Sequence, residues 1–283
     1  MSLLQISDLS VRFPQAGTAA VDHVSFHVDP GERIGLIGES GSGKSMVCLT
    51  IQGLQPAAAK LSGSIQFDDL ELLNQPESVM RSIRGRRVGA VFQEPMTALN
   101  PVVPIWRQLV TASLHHGLVT RRNARALATD LAGMVDLPDP RGIVERYPHE
   151  LSGGQRQRVV IAMALSAQPA LVLADEPTTA LDATVARKVL ELMTHLCEQL
   201  GSALVLVTHD MGLAAGTSDR ILVMRQGRLV ESAATPALLD DPGHPYTRQL
   251  LAAARSTSLD LAGARRALAE QAQHTTVDVE GDS

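Results

Sequence analysis

The sequence predicts an α/β fold built around a mainly parallel sheet, and three observations carry that prediction. Short apolar runs of buried-strand character recur at Arg33–Ile37, 171–174 and 203–207, separated by stretches of helical periodicity. A glycine-rich segment follows the first run and opens directly into a helix, the order expected of a strand–loop–helix unit. Residues 3–13 and 20–29 instead alternate apolar with polar side chains, which predicts a small antiparallel region beside that core.

Taken in order, the two alternating runs end at Pro14 and at Pro30-Gly31, and both read as strands. Arg33–Ile37 reads as a buried strand, with a helix from Lys44 to about Leu54 after the glycines, and residues 62–73 return to strand and turn character. Residues 95–168 are mainly helical, with helix spacing in 106–118 and 122–135, so they form a helical insertion. After the strand at 171–174, residues 184–200 form an amphipathic helix with Val185, Val189, Leu192, Leu196 and Leu200 on one face and Gly201 as its stop. The strand at 203–207 follows, and residues 221–224 and 228–231 flank Gln226-Gly227 as a hairpin. Residues 1–255 make one domain; 256–283 form a short tail with a helical stretch at 259–273 and an acidic end expected to be mobile.

The chain has 283 residues, 45% of them hydrophobic, enough for a substantial core and incompatible with global disorder. A net charge of -5 argues against nucleic acid as a partner, because the broad basic field that binding requires is missing. Cys48 and Cys197 stand apart in helical stretches and form no CxxC pair, which disfavours disulfides and zinc and suits a reducing compartment. Residues 1–10 lack a basic stretch followed by an apolar run, so no signal peptide is expected, and the apolar stretch 159–174 is broken by Ser166, Gln168 and Pro169, too short on either side to span a membrane.

Three segments carry chemistry. Gly38-Glu39-Ser40-Gly41-Ser42-Gly43-Lys44-Ser45 fits the phosphate-binding P-loop pattern. Glycines let the backbone curl so that successive N–H groups face phosphate oxygens; Lys44 reaches the β- and γ-phosphates and Ser45 ligates Mg²⁺. A flexible glycine–serine turn would explain the glycines, but not their position between a strand and a helix. The strand at 171–174 ends in Asp175-Glu176, where one carboxylate can hold Mg²⁺ and the other can orient or deprotonate an attacking water. Leu151-Ser152-Gly153-Gly154-Gln155 opens a helix with a good N-cap and uncovered N–H groups. One chain cannot easily aim two such termini at the same phosphate, so the economical reading is that this one serves a nucleotide held by another subunit, and the alternative is a capped structural helix.

These segments together, LSGGQ with GESGSGKS, LVLADE and the TALD at Thr179-Ala180-Leu181-Asp182, resemble the nucleotide-binding subunits of ABC transporters over nearly the whole of residues 3–254. The resemblance implies a P-loop NTPase (RecA-like) core with an antiparallel β subdomain and a helical subdomain at about 95–168. It also implies ATP and Mg²⁺ as cofactors and ATP held between the P-loop of one subunit and the LSGGQ of a second. Position by position, Phe13 matches the adenine-stacking aromatic, Gln93 the Q-loop glutamine that reaches the metal, His209 the switch histidine at the γ-phosphate, and Asp182 the interface aspartate. Lys44, Gln93, Glu176 and His209 are then the catalytic group, with Ser45, Gln93 and Asp175 around the metal. The other histidines, His115 and His116 among them, read as solvated or packing residues, and residues 84–87 as a surface charge run.

Two further stretches resemble the oligopeptide and dipeptide importers, a group that includes nickel, metallophore and glutathione importers: Phe92-Gln93-Glu94-Pro95-Met96-Thr97-Ala98-Leu99-Asn100-Pro101 and Gly243-His244-Pro245-Tyr246-Thr247-Arg248-Gln249-Leu250-Leu251. The resemblance implies partnership with two permease subunits, a second ATPase subunit and an extracytoplasmic solute-binding protein, at the cytoplasmic face of the cell membrane. Many members carry a cysteine-rich C-terminal extension. No cysteine follows Cys197 here, so no iron–sulfur cluster is expected. A non-transport ABC ATPase of the DNA-repair or translation type is the alternative; its long coiled-coil inserts, zinc motifs or fused cassettes are not visible.

Overall fold

The computed structural model describes residues 2–14, 18–92, 98–179 and 181–256. Along the chain, β1 (Leu4–Arg12), β2 (Ala19–Val28), β3 (Arg33–Ile37), α1 (Lys44–Ile51), β4 (Lys60–Phe67), β5 (Leu70–Glu71), α2 (Glu77–Ile83) and β6 (Val88–Val91) come first. A helical stretch follows: α3 (Ile105–Leu109), α4 (Thr111–His115), α5 (Ala124–Met134), α6 (Pro140–Ile143), a 3-10 turn at Pro148–Glu150 and α7 (Gly153–Leu165). The chain then returns to the sheet with β7 (Leu171–Asp175), α8 (Ala183–Leu200), β8 (Ala203–Thr208), α9 (Met211–Thr217), β9 (Arg220–Arg225), β10 (Arg228–Ala234), α10 (Thr235–Asp240) and α11 (Pro245–Ser256).

The larger sheet has the order β10-β9-β3-β8-β7-β6, and every pair in it is parallel except the β9–β10 hairpin. The smaller sheet, β2-β1-β4-β5, is antiparallel throughout. Both predicted sheet types are therefore present. The parallel strands are buried on both faces, which explains why they read as continuous apolar runs. Alternate residues serve different layers: Val172, Ala174, Leu204 and Leu206 pack with α7, α8 and the helical stretch, whereas Leu171, Leu173, Val205 and Val207 pack with α1 and the antiparallel sheet.

Several expectations need correction. The helical run at 106–118 is two short helices, broken at Val110 where the backbone leaves helical geometry (φ -101, ψ 6). The buried face of α8 is centred on Ala186, Val189, Leu190, Met193, Leu196 and Cys197, while Val185, Leu192 and Leu200 flank it only partly buried. Packed against both α7 and β8, the helix needs a wider apolar face than a single stripe. The charge run at 84–87 is only partly solvated: Arg84 donates to Gln52 O and pairs with Glu77, and Arg87 pairs with Asp68 and lies over the Phe67 ring. Helices α2, α9, α10 and α11 and strand β6 are not predicted by the sequence pattern. The tail helix expected at 259–273 lies outside the described residues. Among those described, no helix is long and apolar enough to cross a membrane.

Candidate active site at the strand ends

The site is assembled by register. In the sheet, Ile37 lies opposite Thr208 and Asp175 opposite Val207, so adjacent strands β3, β8 and β7 end side by side. The residues that follow those ends are Gly38, His209 and Glu176. A cleft of about 710 Å³ opens there, lined by residues 39–45 of the glycine-rich loop with Ala20, Met46, Glu176 and His209. This is where open parallel sheets bind ligands, outside the carboxyl ends of their strands.

The loop needs glycine at two points for different steric reasons. A Cβ on Gly38 would come within 2.2 Å of Met224 O, and one on Gly43 within 2.3 Å of Ala20 O, with φ of 155 and 101. Gly43 is also the residue that delivers the chain into α1. Lys44 is buried and folds back on the loop, its Nζ donating to Gly38 O (2.7 Å) and Glu39 O (2.9 Å). Burial holds its pKa below the usual lysine value, against the opposing pull of Glu176, Asp175 and Glu39.

Across the cleft, Ser45 Oγ donates to Asp175 Oδ1 at 3.0 Å, although 130 residues separate them. Burial raises the Asp175 pKa, and the neighbouring Glu176 charge adds to this, while the Ser45 hydrogen bond and Lys44 oppose it. Glu176 adopts a left-handed conformation (φ 45), costly for a residue with a Cβ and concentrated in proteins at functional sites. Its N–H still donates to Val207 O (2.9 Å), its carboxylate accepts from Thr179 Oγ1 (2.8 Å), and Oε1 lies 3.3 Å from His209 Nδ1. Asp210, beside that histidine, caps α9 by accepting from the N–H groups of Gly212 and Leu213.

This donor set fits a magnesium nucleotide. A hydroxyl and a carboxylate already meet at hydrogen-bonding distance, hard oxygen donors of the kind Mg²⁺ takes alongside water and phosphate. The lysine and the backbone of a helix N-terminus are at hand for phosphate. The family model for ABC transporters matches residues 21–179, which include every element of this cleft except Ala20 and His209. The chain belongs to the ABC transporter family.

It is 44% identical over 254 residues to the oligopeptide transport ATP-binding protein AppD of Bacillus subtilis, covering 88% of this chain and 77% of that protein. It is 48% identical over 255 residues to the peptidoglycan transport ATP-binding protein YejF of Agrobacterium fabrum, covering 89% of this chain but only 47% of that longer protein. Among solved structures, the dimeric post-hydrolysis state of the ATP-binding cassette MJ0796 bound to ADP and Pi superposes with a TM-score of 0.72 at 27% identity, over 82% of this chain and 98% of that one.

Other residues of this ABC cassette lie away from the cleft. Ser152 and Gln155 form a reciprocal capping box at the start of α7: Gln155 N–H donates to Ser152 Oγ (3.3 Å) and Ser152 N–H to Gln155 Oε1 (2.9 Å). Ser152 and Gly153 are exposed, Gly154 is half-buried, and none of them lines the loop cleft. Asp182 is exposed and caps α8 by accepting from Val185 N–H (3.0 Å). Phe13 packs partly buried against the core of the antiparallel sheet and does not line the cleft. Gln93 lies outside the described residues. The sequence reading missed Ala20 and Met46, which carry no chemical signal, and Thr179, whose hydroxyl holds Glu176.

A stability consequence follows from Asp175. Its folded pKa is raised, so between the ordinary carboxylate value and that raised value the folded chain binds more protons than the unfolded one. Stability therefore falls as pH rises through this window, and above it the ionised carboxylate weakens the metal-free fold. Asp175→Asn should raise the melting midpoint of the metal-free protein at pH values above that window, with the gain shrinking as pH falls through it. Added Mg²⁺ and ATP should stabilise the wild type more than the variant, and differential scanning calorimetry with and without them reads both effects.

Proposed function

We propose that this chain is the ATP-hydrolysing subunit of an importer that energises uptake of peptides or a related small solute through two separate permease subunits. The observation that carries the ATPase reading is the meeting of Ser45 with Asp175 beside Glu176 and His209 at three adjacent strand ends. The importer reading is supported by relatives whose names are oligopeptide transport, glutathione import and putative peptide import ATP-binding proteins. As a peripheral subunit on the cytoplasmic face of the membrane, it must pass energy to the permeases by contact.

Bound Mg-ATP supplies the transferable phosphoryl group and the cation. The backbone of residues 39–45 would bind the phosphates, Lys44 would neutralise their charge, and Ser45 and Asp175 would hold the metal with Gln93 nearby. Glu176 would orient the water and take its proton, a step that asks for a carboxylate close to, but not consumed by, the metal. His209, paired with Glu176, would contact the terminal phosphate, and Phe13 would stack on the base. The exposed Ser152 and Gly153, with the half-buried Gly154 and Gln155, would close over the nucleotide of a second ATPase subunit, with Asp182 at the interface. A capped helix terminus whose residues do not line its own P-loop cleft supports that arrangement. An external solute-binding protein completes the importer.

Glu176→Gln should keep Mg-ATP binding and lower steady-state hydrolysis by at least about 100-fold, the usual worth of a positioned proton acceptor; wild-type turnover in this variant contradicts the assignment. Ser152→Arg should abolish hydrolysis while its own P-loop still titrates with ATP at wild-type affinity, whereas loss of that binding rules out the action in trans. For the importer itself, the complete complex should be reconstituted in lipid vesicles. Loaded binding protein should raise the ATPase rate and drive inward accumulation, because the permease can harness closure only by biasing it. Export, or uptake independent of the binding protein, overturns the importer reading and leaves the ATPase reading intact.

A further inference from the structure

The turn Gly243-His244-Pro245-Tyr246-Thr247 takes no part in the reaction described above, yet it touches the phosphate loop at one defined point. Glu231 in β10 holds the turn: its carboxylate accepts from the N–H groups of Gly243 (2.7 Å) and His244 (3.1 Å) and from the Thr247 hydroxyl. Partial burial works against the charged carboxylate, but these three hydrogen bonds outweigh it and keep the group below the usual carboxylate range. Tyr246 N–H donates to His244 Nδ1 (3.1 Å), and the Arg248 guanidinium donates to the carbonyls of Pro242 and Gly243. So constrained, Tyr246 is 2% exposed. Its ring belongs to the core cluster of Ile37, Met211 and Ile221, with the Arg225 guanidinium 4.8 Å from the ring centre.

At the far end of that ring, Glu39 N–H donates to Tyr246 Oη at 3.0 Å. This N–H belongs to the peptide unit joining Gly38 to Glu39, whose carbonyl, Gly38 O, accepts from Lys44 Nζ at 2.7 Å. A peptide unit moves as one plane, so whatever holds its N–H also sets the direction of its carbonyl. Gly38, without a Cβ, offers little resistance of its own to rotation of that plane.

We propose that Tyr246 is a positioning residue for nucleotide binding: its hydroxyl locks the Gly38–Glu39 peptide plane and thereby sets the place of Lys44 and the start of the phosphate loop. The proposal rests on the reading of residues 38–45 as the ATP-binding loop. It gives the C-terminal turn and α11 a direct hold on the nucleotide site.

Tyr246→Phe removes one oxygen and keeps the ring. In the full-length chain, affinity for Mg-ATP, titrated with a fluorescent ATP analogue, should fall about 3- to 10-fold, the worth of one hydrogen bond. Hydrogen exchange in the nucleotide-free peptide containing Glu39 should speed up, and the melting midpoint should fall by less than in a variant that opens a cavity in the same cluster. Leu251→Ala is the control, since it leaves a cavity in the same cluster but keeps the hydroxyl; its midpoint should fall while its ATP affinity stays near wild type. Wild-type affinity in Tyr246→Phe overturns the proposal, as does an equal affinity loss in Leu251→Ala, which would mark the effect as general loosening. Failure of the wild type itself to bind ATP would instead overturn the reading of the loop.

Discussion

Parallel pairing of β3, β8 and β7 is the constraint on which the rest of the molecule depends. These strands are buried on both faces, so no side chain along their length can meet a solute without breaking the core. Chemistry is confined to the ends, and the register decides which residues emerge together. Because Ile37 pairs with Thr208 and Val207 with Asp175, the glycine loop, His209 and Glu176 leave the sheet at one level. Slipping one strand by a single residue would reverse its faces and withdraw its contribution to the cleft.

The cleft holds groups that the fold alone would not favour. Lys44 is a buried cation satisfied mainly by backbone carbonyls, Asp175 is a carboxylate destabilised by burial and by its neighbour, and Glu176 stands in a conformation that costs energy. Opposite charges gathered around the loop reduce these penalties without removing them. Phosphate and a divalent cation, the ligands proposed for this cleft, would offset what remains, so the residues that weaken the fold would be the ones that bind them. Stability is traded here for function.

The loop does not hold its shape unaided. Met224 O limits the space at Gly38, Gly227 N–H donates to Ser42 O at 3.0 Å, and Tyr246 takes up the Glu39 N–H. These three supports come from the β9–β10 hairpin and α11, far along the chain from the loop they brace. The LSGGQ segment and Asp182, in contrast, are shaped locally, each by an N-cap that needs no distant partner. A surface made from self-sufficient caps can face another subunit without depending on it for its geometry.

This difference separates what the amino-acid sequence determined from what only the tertiary structure decided. Strand and helix identities were legible wherever periodicity or a cap is local: β3 appeared with its observed bounds, and the P-loop, Asp175-Glu176 and Ser152 caps were readable from neighbours a few residues apart. The four-residue β6 is too short for a period to show, and the broad buried face of α8 depends on what packs around it. Nor could any local pattern announce that Ser45 meets Asp175 across 130 residues, or that Tyr246 meets Glu39 across 207. Such contacts arise from strand order and register, which the chain acquires only when separated segments share one core. The sequence thus determined which groups could do chemistry, and the sheet decided which of them do it together.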